Sequence, residues 1–485
     1  MEYKWVALTV TTLGIFMVGL DARIVIVGLP QVAVQLGADA EQAIWITQAY
    51  ALATTILLPI IGRLADIFGR IKIYTYGFAI FTIGSALTSF GTNPYEVIIF
   101  RALQGLGAAL IYVNSVAIVT DATPRRQLGL FVGINQIAYR AGAMLGLTLS
   151  GIILAFLDWR ALFYVTVPVG LFGTFWAKYR LKETGLLDKN TKIDYQGFIL
   201  FLLFLLSLML ALTFGAFGAA QLTPLIYSLL AVSLLCLIGF VVRERRINYP
   251  LIDLGIFKIK EVTSGVVAVL FNVIAWGTVL LLLSLQFQLI SNLSPLDAGL
   301  RILPFEIAFL AVGPLSGTLS DRFGYTKFTV SGLIVSTAAL FLMSTLAIDT
   351  SYEVLSLYMV LLGIGTGLFL APNLRGVMGA VPEQRRGIGS AMVTLFLNIG
   401  LTVSLNLAII VMSLTSPYEL ITKIISSVNP VSITAPDRIL FFESLKNTYL
   451  ATAIVNALAI PASLLQINRK STRQKTEKPT IALAE

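Results

Sequence analysis

Histidine is absent from this chain of 485 residues, and cysteine occurs once. Without imidazole there is no His-based catalysis and no His-ligated metal, so any proton the protein moves must ride on a carboxylate. The single Cys236 sits inside an apolar run, which leaves neither a disulfide framework nor a thiolate metal cluster. No GxxxxGK[ST] stretch occurs, so the phosphate-cradling loop of an ATP-driven pump is missing. Charge is scarce as well: Asp, Glu, Lys and Arg make up 12% of the residues, about half of the roughly 25% usual in soluble domains. Nothing reads as an appended soluble domain or a cluster of loop acids, which weighs against a receptor, an assembly scaffold or a membrane enzyme. Neither a metal site nor a cofactor is expected.

Apolar surface is what the chain has in quantity. Hydrophobic residues account for 57% of it, and its mean hydropathy is +0.87. Runs such as residues 198–217 and 224–242 have the roughly 20-residue length that spans a bilayer core as a helix. Fourteen such segments follow one another, more than one soluble core accommodates. The first begins near Val6 without a small-residue cleavage site after it, so it reads as an uncleaved membrane helix and not as a signal peptide. The net charge of +9 raises the question of nucleic acid, and its distribution answers it. With the N-terminus placed in the cytoplasm, 25 of the 34 Lys and Arg fall on the cytoplasmic side, 5 outside and 4 within the spans. Positive charge on short loops sets orientation, so both termini are expected in the cytoplasm, with the chain a multi-pass protein of the cell (plasma) membrane. The basic tail "NRKSTRQKTEK" (468–478) is then a patch for the anionic headgroups of the lipid bilayer, and no nucleic-acid partner is expected.

An internal repeat orders the segments. Residues 62–72 read GRLADIFGRIK and residues 317–327 read GTLSDRFGYTK, both fitting G-x-L-x-D-x-x-G-x-x-[basic]. They are 255 residues apart and fall on short loops, after the second segment and after the tenth. Six helices do not fill that interval; the excess matches two additional segments between residues 196 and 243. The expected organisation is an N-terminal six-helix bundle over residues 1–182, an inserted two-helix linker with basic connectors over 183–260, a C-terminal six-helix bundle over 261–466 and a basic cytoplasmic tail over 467–485. Only residues 416–445 are long and polar enough to form a sizeable outside loop.

With these residues in place, the chain resembles the major facilitator superfamily, specifically its fourteen-helix drug:proton antiporter branch, from about residue 6 to residue 466. The family's loop motif stands at Gly62, Leu64, Asp66, Gly69, Arg70 and Lys72, and its fourth-helix pattern at Arg101, Gln104, Gly105, Gly107, Ala108 and Ala109. The branch's first-helix wording is "LDARIVIVGLP" (20–30), its sixth helix opens "WRALFYVTVPVG" (159–170), and "ERRINYPLIDLGIF" follows the inserted pair. The fifth-helix antiporter pattern is met at Gly142, Gly146 and Gly151, with Leu147 where the branch has proline and Ser150 where it has glycine. The resemblance implies an all-α integral membrane protein, two six-helix bundles plus two inserted helices, rocking about a midplane site. It also implies a cytoplasmic gate at Gly62, Asp66, Gly69, Arg70 and Asp121, repeated at Gly317, Asp321 and Gly324. Glycines permit the tight loop, Arg70 can pair with Asp121, and Asp66 can sit against the positive end of a neighbouring helix.

Charges inside the spans are expensive, at least about 2.5–3.5 kcal/mol each at the bilayer centre. Arg101 lies about 10 Å into the membrane counted from Pro94, and Asp21 about 13 Å counted from Pro30, both from the outer side at 1.5 Å per residue. Opposite charges at matching depth relieve each other's desolvation, and an acid that depends on a nearby cation can alternate between a proton-bound and an ion-paired state. Asp21, Arg101 and Glu306 are therefore the proton-coupling candidates, with a static pair that fixes helix packing as the plain alternative. Arg23 is about 200° around the helix from Asp21 and faces the other way. Arg140 and Glu306 each fall near the midplane, where they are expected to face the central cavity and to interact. With Arg23, Asn135, Gln136, Asn272, Gln288 and Asn398 they form the set of substrate-cavity candidates, and Trp45, Tyr50, Tyr139 and Trp276 are aromatics able to contact an amphipathic ligand.

The function these expectations describe is a secondary active transporter, a proton-coupled antiporter exporting small amphipathic compounds of the multidrug-efflux type by alternating access. Its partners would be a small-molecule substrate, protons and the bilayer. The intramembrane arginines, Arg23, Arg101, Arg140 and Arg375, outnumber the carboxylates Asp21 and Glu306. That excess supports an alternative, a transporter of an organic anion or zwitterionic metabolite.

Overall fold

In a bilayer every backbone N–H and C=O must find its partner within the protein, and a helix supplies those partners from its own segment. The computed structural model of the chain describes residues 2–124, 127–183, 192–217, 223–382, 385–417, 420 and 434–466. Among these residues there are helices and connections and no strand. The first six helices are α1 (Tyr3–Leu36), α2 (Ala40–Phe68), α3 (Arg70–Phe90), α4 (Pro94–Ala122), α5 (Leu128–Phe156) and α6 (Ala161–Arg180). The inserted pair is α7 (Tyr195–Phe217) and α8 (Thr223–Glu244). The last six are α9 (Lys260–Leu285), extended by a π turn at Gln286–Ile290, then α10 (Pro295–Phe323), α11 (Tyr325–Ser344), α12 (Tyr352–Ala380), α13 (Arg386–Thr415) and α14 (Ala435–Ala457). Thirteen of these are long and apolar enough to cross a membrane. The exception is α14, whose first half carries Asp437, Arg438, Glu443 and Lys446.

The sequence places the helix ends. At the end of the molecule opposite the termini, α4, α10 and α14 each begin with a side-chain cap followed by proline in the first turn: Asn93 before Pro94, Ser294 before Pro295 and Thr434 before Pro436. At the terminal end, α2 passes into α3 through Gly69 at φ 99°, and α10 into α11 through Gly324 at φ 85°. These are the last glycines of the two repeated motifs, in a backbone region that other residues adopt only at a cost. Two expectations change. The first helix does not close on Pro30 but runs through it to Leu36, so Asp21 lies near the middle of a 34-residue helix. The outside loop expected at 416–445 is shorter, because α14 already starts at Ala435.

Within each half, glycines let backbones meet. Gly107 lies against Phe81 of α3, Gly105 against the Tyr50 carbonyl of α2, and Gly363 of α12 against the Phe305 carbonyl of α10. Between the halves, the close backbone approaches lie at the far end. There Gly151 of α5 abuts the Leu296 backbone of α10, and a methyl group on Gly299 would lie 2.7 Å from the Leu147 carbonyl. Gln288 Nε2 donates to the Val27 carbonyl of α1 at 3.0 Å. At the terminal end, by contrast, a methyl group added to Gly62, Gly133, Gly313 or Gly379 would meet nothing within 4 Å.

The inserted pair follows the seam between the halves. Met209 Sδ of α7 accepts hydrogen bonds from Gln48 Nε2 of α2 (3.3 Å) and Asn406 Nδ2 of α13 (3.6 Å). Thr213 Oγ1 of α7 donates to Asn406 Oδ1 at 3.0 Å. At the terminal end the hairpin is tied by Arg243 Nε to both Asp194 oxygens at 2.8 Å. Outward-facing Leu230, Leu234, Leu235 and Ile238 on α8 remain exposed, as a lipid-facing helix requires.

If far-end closure depends on backbone approach at Gly151, then Gly151→Val is expected to hold that end apart. In a Cys236→Ser background, spin labels at the exposed positions Tyr95 and Asp349 should show a longer distance distribution in the variant than in the parent. An unchanged distribution would contradict this account of closure.

Candidate substrate and coupling site

The packing of α1 on α5 decides which way its charges point. Gly19 lies on the Tyr139 carbonyl, Gly142 on the Phe16 carbonyl and Gly146 on the Leu20 carbonyl. The four-residue glycine stripe of α5 is thus occupied by the α1 backbone, and α1 is fixed in rotation. Asp21 then faces α4, and Arg23, on the other side of the helix, faces the space between the halves.

Asp21 is fully buried and Arg101 is 1% exposed. Arg101 Nη1 donates to Asp21 Oδ2 at 2.6 Å and to Gln104 Oε1 at 2.7 Å, while Nε donates to the Ile46 carbonyl at 3.2 Å. Gln104 Nε2 donates to the other Asp21 oxygen at 2.8 Å and to Ser85 Oγ at 3.1 Å. Ser85 in turn reaches Thr166 Oγ1 at 2.6 Å and the Phe163 carbonyl at 2.8 Å. Helices α1, α2, α3, α4 and α6 are therefore joined through one charge pair and its hydrogen bonds. The Arg101 guanidinium also lies over the Tyr50 ring, 4.3 Å from its centre. Tyr50 lines the central cavity, so a single ring separates the pair from it.

That cavity lies between the halves and offers about 80 Å³ to the centres of water-sized molecules, room for several waters. Its wall includes Arg23, Thr47, Tyr50, Tyr112, Tyr139 and Asn398, with Leu397, Leu401 and Leu405 of α13. The Arg23 guanidinium sits 4.9 Å from the centre of the Trp276 ring on α9, and that of Arg140 sits 4.0 Å from the Phe309 ring on α10. Each contact crosses from one half to the other. Glu306 lies within electrostatic range of both arginines, but among the described residues no ion pair joins it to either.

The fold and these contacts can be set beside known proteins. The family model of the Major Facilitator Superfamily matches residues 11–243 and 265–483. The chain belongs to that superfamily. It is a membrane transporter, as its relatives are, and not an enzyme. The riboflavin transporter RibZ of Clostridioides difficile (strain 630) is 29% identical over 399 residues, covering 82% of this chain and 86% of that protein. The multidrug resistance protein Stp of Mycobacterium tuberculosis (strain CDC 1551 / Oshkosh) is 30% identical, covering 82% and 73%. The multidrug transporter protein MdtP of Bacillus subtilis (strain 168) is 27% identical, covering 85% and 76%. Among solved structures, an inward-facing, occupied bacterial homologue of the human lysosomal transporter Spinster superposes with a TM-score of 0.68 at 14% identity, covering 96% of this chain and 97% of that one.

The transporter sorts the expected cavity residues into two groups. Arg23 and Asn398 line the cavity, and Arg140 and Glu306 stand beside it through the contacts given above. The others are used elsewhere. Asn135 accepts from Thr12 Oγ1 (2.8 Å) and donates to Thr11 Oγ1 (3.3 Å), so its amide is spent on the α1–α5 seam. Asn272 donates to Asn456 Oδ1 at 2.8 Å, within the C-terminal half. Gln136 neighbours Tyr112 of the cavity wall, and Gln288 serves the far-end closure. An isolated polar residue in a span finds a helix neighbour first. Arg140 and Glu306, expected to interact, are electrostatically coupled while Arg140 itself rests on Phe309.

At the repeated loop, Arg70 Nη1 reaches both Asp121 oxygens at 2.6 Å, and Nη2 is 3.4 Å from Asp66. The carboxylate at the N-terminus of α3 is that of Glu183, accepting from Ile71 N at 3.1 Å. Gly62 is exposed, a methyl group added to Gly317 would lie 3.6 Å from Ala371, and the side chain of Asp321 lies outside the described residues. Sequence reasoning did not single out Thr47, Phe309 or the Leu397, Leu401, Leu405 stripe. The last was open to detection by its four-residue spacing.

Removing one member of a buried ion pair leaves the other uncompensated and typically costs about 3–5 kcal/mol. Arg101→Met is expected to destabilise the protein by that order in denaturant titration in mixed micelles. The double variant Asp21→Asn with Arg101→Met should recover at least half of the loss. Equal destabilisation in the single and double variants would show that the pair does not carry this role.

Proposed function

We propose that the transporter is a proton-coupled antiporter of the plasma membrane, exporting small amphipathic compounds by alternating access, with both termini in the cytoplasm. The observation that carries this reading is the fully buried Asp21–Arg101 pair, one ring away from the central cavity. With Asp21 ionised, the pair is neutral and its hydrogen bonds draw α1, α2 and α4 together. A proton on Asp21 removes the negative charge, and Arg101 keeps Ile46, Gln104 and the rings of Tyr50 and Phe163 as partners. Because Tyr50 also lines the cavity, the charge state of Asp21 and the shape of the substrate space are linked through one side chain. Binding of a substrate and binding of a proton then compete, which is the requirement for exchange.

The relatives named as multidrug proteins support an amphipathic cargo. The packing of α5 supports rocking of the halves: Gly142 and Gly146 seat α1 within its own half, Gly151 meets α10 of the other, and Leu147 is buried where the branch has proline. In this reading the Arg70, Asp66 and Asp121 cluster steadies the cytoplasmic ends of α2 to α4, and the tail at 468–478, outside the described residues, binds anionic headgroups.

The test is proton flux. Proteoliposomes carrying an internal pH dye are loaded with a panel of amphipathic compounds, and an imposed pH gradient drives exchange. Substrate-dependent proton movement is expected for the wild type and is expected to fall to the level of protein-free liposomes in Asp21→Asn. Equal flux in the variant, or none with any compound in the wild type, would remove proton coupling from the account.

A further inference from the structure

Resting on the reading of the central cavity as the substrate site, we infer that its ligand is an anion: a flat aromatic molecule bearing one carboxylate-type group, which Arg23 receives. The first observation is the charge count. Arg23 and Arg140 bring two positive charges to the cavity region, and the single Glu306 brings one negative charge within range of both. Asp21 does not redress this excess, because both its oxygens are engaged by Arg101 and Gln104.

The second observation is how the arginines are held. Each guanidinium rests on an aromatic ring of the opposite half, Arg23 on Trp276 and Arg140 on Phe309. A ring satisfies one face of the guanidinium and leaves its in-plane N–H donors for something else. Among the described residues Arg23 and Arg140 donate to no oxygen. Arg23 is 8% exposed and lines the cavity, so its free donors belong to the cavity wall. A planar fork of donors in that setting matches a carboxylate, which it can bind through two parallel hydrogen bonds.

The third observation concerns the rest of the wall. Thr47 lines the same cavity, is 7% exposed, and its hydroxyl has no partner among the described residues. The indole N–H of Trp276, under Arg23, is likewise buried and unpaired. Buried polar groups without partners carry an uncompensated desolvation cost, so a ligand oxygen that meets them is favoured. Opposite stand the rings of Tyr112 and Tyr139, packed edge to face at 5.6 Å, and the leucines of α13. They form an apolar slot suited to a flat body, and they carry no charge. A cationic ligand would instead meet the excess of positive charge and would have Glu306 alone as counter-ion.

The experiment is equilibrium binding to the purified full chain in detergent, without a pH gradient, using three probes of one shape: 2-naphthoate, 2-naphthylmethanol and 2-naphthylmethylammonium. A charge-assisted bidentate contact predicts that the wild type binds the anion at least about ten-fold tighter than the neutral probe, with the cation weakest. Arg23→Gln is expected to abolish the preference while leaving the neutral probe within about two-fold, and Arg23→Lys to keep part of it. Glu306→Gln should tighten the anion. The inference is overturned by a cation preference that Glu306→Gln removes, by an anion preference that survives Arg23→Gln, or by the absence of binding for all three probes. Because binding is measured without a pH gradient and proton flux is not read, a failure of anion recognition and a failure of proton coupling are told apart.

Discussion

An ionised carboxylate and an ionised guanidinium taken out of water each lose several kcal/mol of hydration, and in a bilayer that loss is recovered only if they meet each other in good geometry. The rest of this transporter is arranged around that constraint. Asp21 and Arg101 touch at 2.6 Å because glycines bring three helix contacts close enough to permit it. The α5 stripe sets the rotation of α1, Gly105 brings α2 to α4, and Gly107 brings α3 to α4. The remaining lone pairs and protons of the two ions are met by Gln104 and the Ile46 carbonyl. Ser85 extends the network to α6. The N-terminal half is in this sense packed around its charge, and a change of that charge has mechanical consequences across five helices.

The two halves differ in what they give the shared space. The N-terminal half brings arginines, and the C-terminal half brings the rings beneath them and the lone Glu306. Such contacts join the halves through ring faces and not through ion pairs. The far end is closed by backbone approach at Gly151 and Gly299, while several glycines at the terminal end have open space. The inserted pair spans the seam: α7 bonds to both α2 and α13 through Met209, and the connector after α8 accepts from Arg63 at Pro250 and pairs Asp253 with Arg385. It touches both halves beside the seam where α2 and α13 also meet directly, through Thr55 and Thr402 at 3.3 Å.

Much of this was legible in the sequence, for reasons that can be named. The fourteen helices follow from bilayer thickness, and the repeated loop at Gly62 and Gly317 follows from a backbone need that only glycine meets freely at Gly69 and Gly324. The partnership of Asp21 with Arg101 followed from depth, although the depth was counted from Pro30 and the helix continues to Leu36. What sequence could not give was the destination of neutral polar side chains. Asn135, Asn272 and Gln288 look alike in a string of letters, yet each is committed to a different seam. Helix rotation decides this, and it is set by long-range contacts between small residues. The aromatic seats of Arg23 and Arg140 were hidden for the same reason, since Trp276 and Phe309 are far away in the chain.

The central claim is that Asp21 alternates between an ion-paired and a proton-bound state. Infrared difference spectroscopy on the lipid-reconstituted protein tests it most directly, by following the carbonyl stretch of a protonated carboxylic acid as pH is lowered. The account predicts a band that grows in on acidification, persists in Glu306→Gln and is missing in Asp21→Asn. The same band in Asp21→Asn, or none in the wild type, would contradict it.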